Sequence, residues 1–211
     1  YIASKKKPYI IATGASDISD VKRVYNTCIK LNKQIAIMQC NTNYTAEKDN
    51  FSYINLNVLK TYKKLFPKAI LGLSDHTLGH STVMGAITLG ARIIEKHFTL
   101  DNNSNGPDHK FSMNPLTWKE MIVAARELEK SLGVGLKRIE KNETDTAIVQ
   151  RRSIHSRHNI NKGHLIKKDD LKFLRPCPQD GIKPYDYKKI LGKKTKKKIL
   201  KNNIITLKDL Y

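Results

Sequence analysis

Four times along the first half of the chain, a short apolar run is followed by a segment with helical spacing. This alternation constrains the fold more than any other feature. Pro8-Tyr9-Ile10-Ile11-Ala12-Thr13-Gly14 reads as a buried strand ending in a turn. Asp17 then caps a helix with Val21, Val24, Cys28 and Leu31 on one face. Gln34–Gln39 is the next strand, and Leu56, Leu59, Tyr62, Leu65 and Phe66 mark a helix that Pro67 ends. Ala69–Leu73 is the third strand, residues 80–90 suit a helix of small residues, and Ala91–Lys96 is the fourth strand. Thr117-Trp118-Lys119-Glu120 has capping-box spacing, and a stripe of Trp118, Met121, Ile122, Ala125, Leu128 and Leu132 runs on to Gly133. Continuous apolar strands joined by helices imply a parallel sheet covered by helices. Periodicity alone leaves open whether this is half of an eight-fold barrel or a small open sheet.

The character of the chain changes near Arg151-Arg152. Residues 151–211 carry 18 Lys/Arg against 5 Asp/Glu, whereas residues 1–150 carry 21 against 14, within a total net charge of +20. A boundary is expected there: residues 1–132 as the α/β part, 133–150 as a linker, and 151–211 as a compact, mostly β module. In the module, Ser153–Ser156, Leu171–Leu174 and Ile204–Leu207 are short strand candidates. Asn161-Lys162-Gly163-His164 is a turn, and residues 185–191 form one short helix. The run Lys193-Lys194-Thr195-Lys196-Lys197-Lys198 resembles a phosphate-binding patch, but it lacks interleaved aromatic residues and is read as a solvated face, not a nucleic-acid site. No apolar run reaches 18 residues, so no membrane span is expected. Cys28, Cys40 and Cys177 form no paired motif, which argues against a zinc cage or a disulfide framework and for a reducing cytoplasm.

Polar residues gather where the strands end: Thr13 after the first, Thr42 and Tyr44 after the second, Ser74, Asp75 and His76 after the third, His97 after the fourth. Parallel α/β folds bind ligands at the carboxyl ends of their strands. Two His at neighbouring strand tips can share one metal, and added carboxylate or water ligands favour a Mn-like site. Two hydrogen-bonding His at a core rim fit the same pattern. Asp108, in the turn Asn105-Gly106-Pro107-Asp108-His109, can orient a hydroxyl or serve only the turn. Arg175 follows a strand, where its fork can reach a carboxylate or carbonyl.

Taken together, these segments resemble the N-acetylneuraminate (sialic acid) synthase family. The matching stretches are Gly72-Leu73-Ser74-Asp75-His76-Thr77-Leu78-Gly79, Gly90-Ala91-Arg92-Ile93-Ile94-Glu95-Lys96-His97-Phe98-Thr99, and Gly106-Pro107-Asp108-His109. Gln39–Tyr44 resembles the family's sixth-strand segment, and Ile11–Gly14 the end of its fifth. Arg151-Arg152-Ser153 and Leu174-Arg175-Pro176 resemble its C-terminal antifreeze-like (SAF) module.

The resemblance implies an α/β fold: the C-terminal half of a (β/α)8 TIM barrel, a linker and a small, mostly β SAF domain. A barrel occupies about 250 residues, so strands one to four are expected to lie outside this sequence, which opens with Tyr1. The implied reaction condenses phosphoenolpyruvate with an N-acetylmannosamine-like sugar, using Mn2+ (or Mg2+/Co2+). By similarity, His76 and His97 are metal ligands, Ser74 and Thr42 contact phosphoenolpyruvate, and Tyr44 and Asp108 face the sugar. Arg175 reaches the sugar N-acetyl group across a domain-swapped homodimer. Ala12 departs from the family's frequent Ser, and Thr42 from its Asn or Ser. The water-orienting Glu and the phosphoenolpyruvate-binding Lys residues belong to the missing strands, so these residues alone are expected to be inactive. A legionaminic or pseudaminic acid product, or a noncatalytic sugar-binding protein, is the alternative.

Overall fold

The structure, a computed structural model, describes residues 1–211. The chain divides into two compact units, Tyr1–Gly135 and Leu136–Tyr211.

Unit 1 is built on one parallel sheet, with strands β1 (Tyr9–Ala12), β2 (Ile35–Cys40), β3 (Ile70–Asp75) and β4 (Ile93–Lys96) in sequential order. The register pairs Tyr9 with Ile35, Ala36 with Ile70, and Gly72 with Ile93. All six residues of β2 are buried, and all of β3 after Ile70, which explains their continuous apolar runs. The outer strands β1 and β4 have one partner each, and Ile10 in β1 is exposed. Helices α1 (Ile18–Leu31), α2 (Val58–Leu65), α3 (Ser81–Thr88) and α4 (Pro115–Ser131) follow the strands. The core between helices and sheet includes Leu59, Tyr62, Phe66, Leu73, Val83, Ala86 and Met121, all nearly or wholly out of solvent.

Local chemistry sets the helix ends. Asp17 caps α1 by accepting from the Ser19 and Asp20 amides, and these bonds, the Ser19 hydroxyl foremost, hold its carboxyl below the usual range. The α4 cap lies one turn earlier than the sequence spacing indicates. Asn114 is the cap, Pro115 occupies the first turn, and Thr117 is the reciprocal partner instead of the cap itself. Proline's fixed φ and missing N–H suit that first position. The buried face of α1 also differs: Tyr25 is buried beside Val21, while Val24 and Leu31 are exposed. On α4, Met121 is buried and Ile122 and Leu132 are exposed.

Unit 2 has helix α5 (Thr144–Gln150) and the antiparallel pair β5 (Ser153–Ser156) and β6 (Leu171–Leu174). Most of its remaining pairing is by isolated bridges, such as Ile160 to Ile199 and Thr195 to Leu210. Ile204–Leu207, expected as a strand, makes only single bridges, His155 to Ile204 and Gly181 to Thr206, because the chain turns into a 3-10 helix at Leu207–Asp209. The short helix expected at 185–191 is a 3-10 helix over Pro184–Lys189. The core is mainly isoleucine: Ile154, Ile160, Ile166, Ile182, Ile190, Ile199 and Ile205, with Leu171 and Leu210. No helix of the chain is long and apolar enough to cross a membrane.

Candidate functional site

Beyond the carboxyl ends of β2, β3 and β4, four aromatic or imidazole rings meet in one cluster. His76 directly follows β3, and His97 directly follows β4. Their ring centroids are 5.1 Å apart in an edge-on arrangement. Tyr44, from the segment after β2, lies 4.3 Å from the His76 ring and 5.3 Å from the His97 ring. Phe111, buried and three residues past Asp108, completes the cluster 5.0 Å from His97 and 6.0 Å from Tyr44.

Each imidazole is oriented through one nitrogen. His76 is 3% exposed, and its Nδ1–H donates to the Asn41 carbonyl at 2.6 Å. A carbonyl only accepts, so in the neutral ring this bond puts the proton on Nδ1 and leaves the Nε2 lone pair for a ligand. His97 Nδ1 lies 3.3 Å from Asp108 Oδ2. Imidazoles that ligate metals are commonly held this way, by a carbonyl or carboxylate on the other nitrogen. The donor set therefore suits a divalent cation with two protein nitrogens and further oxygen ligands. No third His, Cys, Asp or Glu joins the pair in a metal-binding group.

The Asp108 turn is itself anchored. Asn102 Nδ2 donates to the His109 and Ser112 carbonyls, and the Thr99 hydroxyl is 2.7 Å from His109 Nδ1. Ser74 is buried and sits in register with Cys40. Burial pushes the Cys40 thiol up, with the Ser74 hydroxyl offsetting part of that, so Cys40 is a poor nucleophile at neutral pH. Thr42 is exposed, and its methyl packs onto Gly14: a Cβ at position 14 would fall 2.1 Å from Thr42 Cγ2. Thr13 lies within the wall, where its hydroxyl donates to the Met38 carbonyl and accepts from Tyr62. Burial raises the Tyr62 phenol.

The structure thus brings His76, His97, Tyr44 and Asp108 together. Ser74 and Thr42 lie on adjoining strand ends, and Arg175 is an exposed residue of unit 2, just after β6. Sequence reasoning missed Asn41, Phe111 and the pairing of Asp75 with Lys96. Asn41 acts through its backbone, which no side-chain pattern reveals. Phe111 stands three residues past Asp108 in a stretch with no regular period. Asp75 and Lys96 lie inside the matching motifs but form a buried pair that motif reading leaves without a role.

Residues 1–137 match the model of the NeuB family, and residues 151–210 match the SAF domain. The chain belongs to the NeuB family. It is 33% identical over 207 residues to the N,N'-diacetyllegionaminic acid synthase of Campylobacter jejuni, covering 97% of this chain and 60% of that protein. It is 30% identical over 192 residues to human N-acetylneuraminate-9-phosphate synthase, covering 91% of this chain and 52% of that protein. Among solved structures, the spore coat polysaccharide biosynthesis protein spsE of Bacillus subtilis matches with a TM-score of 0.58 and 31% identity, over all of this chain and 63% of that one. The chain spans somewhat over half the length of these relatives.

Proposed function

We propose that this NeuB-family chain forms part of a synthase that joins phosphoenolpyruvate to an N-acetylated amino sugar, giving a nonulosonic acid and phosphate. The observation that carries this reading is the His76–His97 pair, each ring oriented through Nδ1, beside an exposed tyrosine and a carboxylate. The two named synthases among the relatives support the reaction class, and the sheet supports a barrel half.

In this reading, carbon three of phosphoenolpyruvate attacks the sugar aldehyde, water adds at carbon two, and phosphate leaves by C–O cleavage. A divalent cation such as Mn2+, held by His76 and His97 Nε2, would supply Lewis acidity toward the aldehyde oxygen. Asn41 and Asp108 hold the two rings in the required orientation. Tyr44, about half exposed, packs against both imidazoles and leaves the rest of its surface free for a ligand. Asp108, partly exposed, can accept from sugar hydroxyls while it holds His97. Ser74 on β3 and Thr42, two residues past β2, are the proposed phosphoenolpyruvate contacts. Arg175 is proposed to bind the sugar N-acetyl carbonyl in a partner subunit's site. The family's water-orienting Glu and its phosphoenolpyruvate-binding Lys residues have no counterpart here, so these 211 residues alone should not release phosphate.

Calorimetric titration with Mn2+ tests the central claim. The wild-type chain should bind one ion, and His76→Ala and His97→Ala should each lose that binding. Equal affinities in all three proteins would remove the metal pair. A phosphate-release assay with phosphoenolpyruvate, N-acetylmannosamine and Mn2+ tests the rest, since turnover by the chain alone would contradict the assignment of the missing groups.

A further inference from the structure

Immediately before each of the two histidines in sequence stands one member of a charge pair almost wholly out of solvent. Asp75 and Lys96 are the last register pair of β3 and β4. Their side chains are 0% and 1% exposed, and Lys96 Nζ lies 2.5 Å from Asp75 Oδ2. Lys96 also donates to the Thr77 carbonyl at 2.7 Å. Asp75 Oδ1 accepts from the Thr77 amide at 3.1 Å and the Thr77 hydroxyl at 2.9 Å, and Oδ2 accepts from Thr82 at 2.6 Å. No buried side-chain polar atom is left without a partner.

Stability does not account for such a pair. Removing two charges from water is costly, and apolar or neutral replacements of similar volume are commonly as stable or more so. Its location supplies a different reason. β3 ends at Asp75, and beyond it Lys96 bonds both the Asp75 carboxylate and the Thr77 carbonyl, one on each side of His76. The residues on both sides of His76 are thereby tied to Lys96, and Lys96 immediately precedes His97.

We infer that Asp75, Lys96 and Thr77 form a positioning clamp that sets the separation and tilt of the His76 and His97 rings. These are positioning residues, because they act through the backbone of their neighbours and touch neither the rings nor a ligand. The inference rests on the proposed use of the two histidines as a ligand pair. Metal–nitrogen distances tolerate about 0.2 Å, so a small shift between strand ends weakens binding. Loss of groups that orient ligands typically costs about 10–100-fold in metal affinity.

The decisive variant carries Asp75→Asn and Lys96→Met together in the full chain. It removes both charges, while the new amide still accepts from the Thr77 N–H and can donate to the Thr82 hydroxyl. Two readouts apply: Mn2+ affinity by calorimetry, and the NMR cross-relaxation between His76 and His97 ring protons in metal-free protein. The clamp requires a melting temperature close to wild type, Mn2+ binding about 10–100-fold weaker, and a weakened ring–ring signal. Wild-type Mn2+ affinity in the folded double variant, or an unchanged ring–ring signal, would overturn it. Should the wild type bind no Mn2+, the metal reading falls, and the metal-free ring–ring signal still decides the clamp. If the double variant does not fold, Asp75→Asn alone is judged by the same two readouts.

Discussion

Gly72, in the middle of β3, lets the reasoning be tested at one carbon atom. A Cβ built there would lie 2.8 Å from the Ile93 carbonyl oxygen of β4 and 2.8 Å from Met38 Cγ of β2. Close carbon–oxygen contacts in sheets sit at about 3.3–3.6 Å, so the backbone of β4 must retreat by about 0.5 Å. Met38 is itself buried, at 2%, and has little room to yield. Overpacking of this kind costs about 1–3 kcal/mol. For a unit of this size each kcal/mol lowers the melting temperature by about 4 °C, so Gly72→Ala should melt about 4–12 °C lower. Gly85 provides the control. A Cβ there meets only Leu56 Cδ1, the tip of a flexible side chain, at 2.7 Å. Gly85 is inside α3, where alanine is favoured by about 0.5–1 kcal/mol. Gly85→Ala should therefore match or exceed wild-type stability. Circular dichroism melts of the two variants give the answer. A Gly72→Ala protein as stable as wild type, or equal losses at both sites, would refute the packing argument. Because β4 carries His97 at its end, Gly72→Ala should also weaken Mn2+ binding.

Other expectations follow from the same geometry. In unit 2, burial pushes the Asp170 carboxyl up, but the Lys167 amide, His164 and His158 together hold it below the usual value. Asp209 behaves alike: burial raises it, and Lys197 and Thr206 more than compensate. A lowered folded-state value gives stability that is present above about pH 4, the unfolded value, and is lost as pH falls through the folded one. Melting temperature should then hold from neutral pH to about pH 5 and drop below about pH 4. Asp170→Asn should start lower yet depend less on acid, and an equally steep fall would remove Asp170 from this account. Alkylation under native conditions should modify Cys28 first, because Cys40 and Cys177 are buried, and mass spectrometry of partly labelled protein would show otherwise if Cys40 reacted as fast. Asp108→Asn should loosen the His97 ring more than the His76 ring, which imidazole NMR line widths report directly.

Much of the architecture was legible in the residues. The four strands appear where the apolar runs are, and the runs are most continuous in β2 and β3, which are buried on both faces. Asp17 marks the start of α1, because a carboxylate there satisfies free amides. Capping was harder to place at α4, where Thr117 and Asn114 both offer capping chemistry and only the seat of Pro115 in the first turn selects Asn114. The face of α1 was misjudged at Val24 and Leu31, because a helix shows several apolar residues and only its neighbours choose which are covered. In unit 2 the strands at Ser153–Ser156 and Leu171–Leu174 stand where the residues indicate, but Ile204–Leu207 makes only single bridges, and isolated bridges leave little periodicity in a sequence.

The candidate site divides along the same line. Residue order alone placed His76 and His97 at successive strand tips, as parallel strands carry their following residues to one edge of the sheet. What stood opposite each ring was decided by tertiary structure: the Asn41 carbonyl, Phe111 and the Tyr44 ring arrive from segments distant along the chain. The Asp75–Lys96 pair shows the reason most clearly. Its members stand 21 positions apart, and nothing local distinguishes them from exposed charges. Only the parallel register of β3 and β4 places them side by side and away from water, where a charge must find its partner.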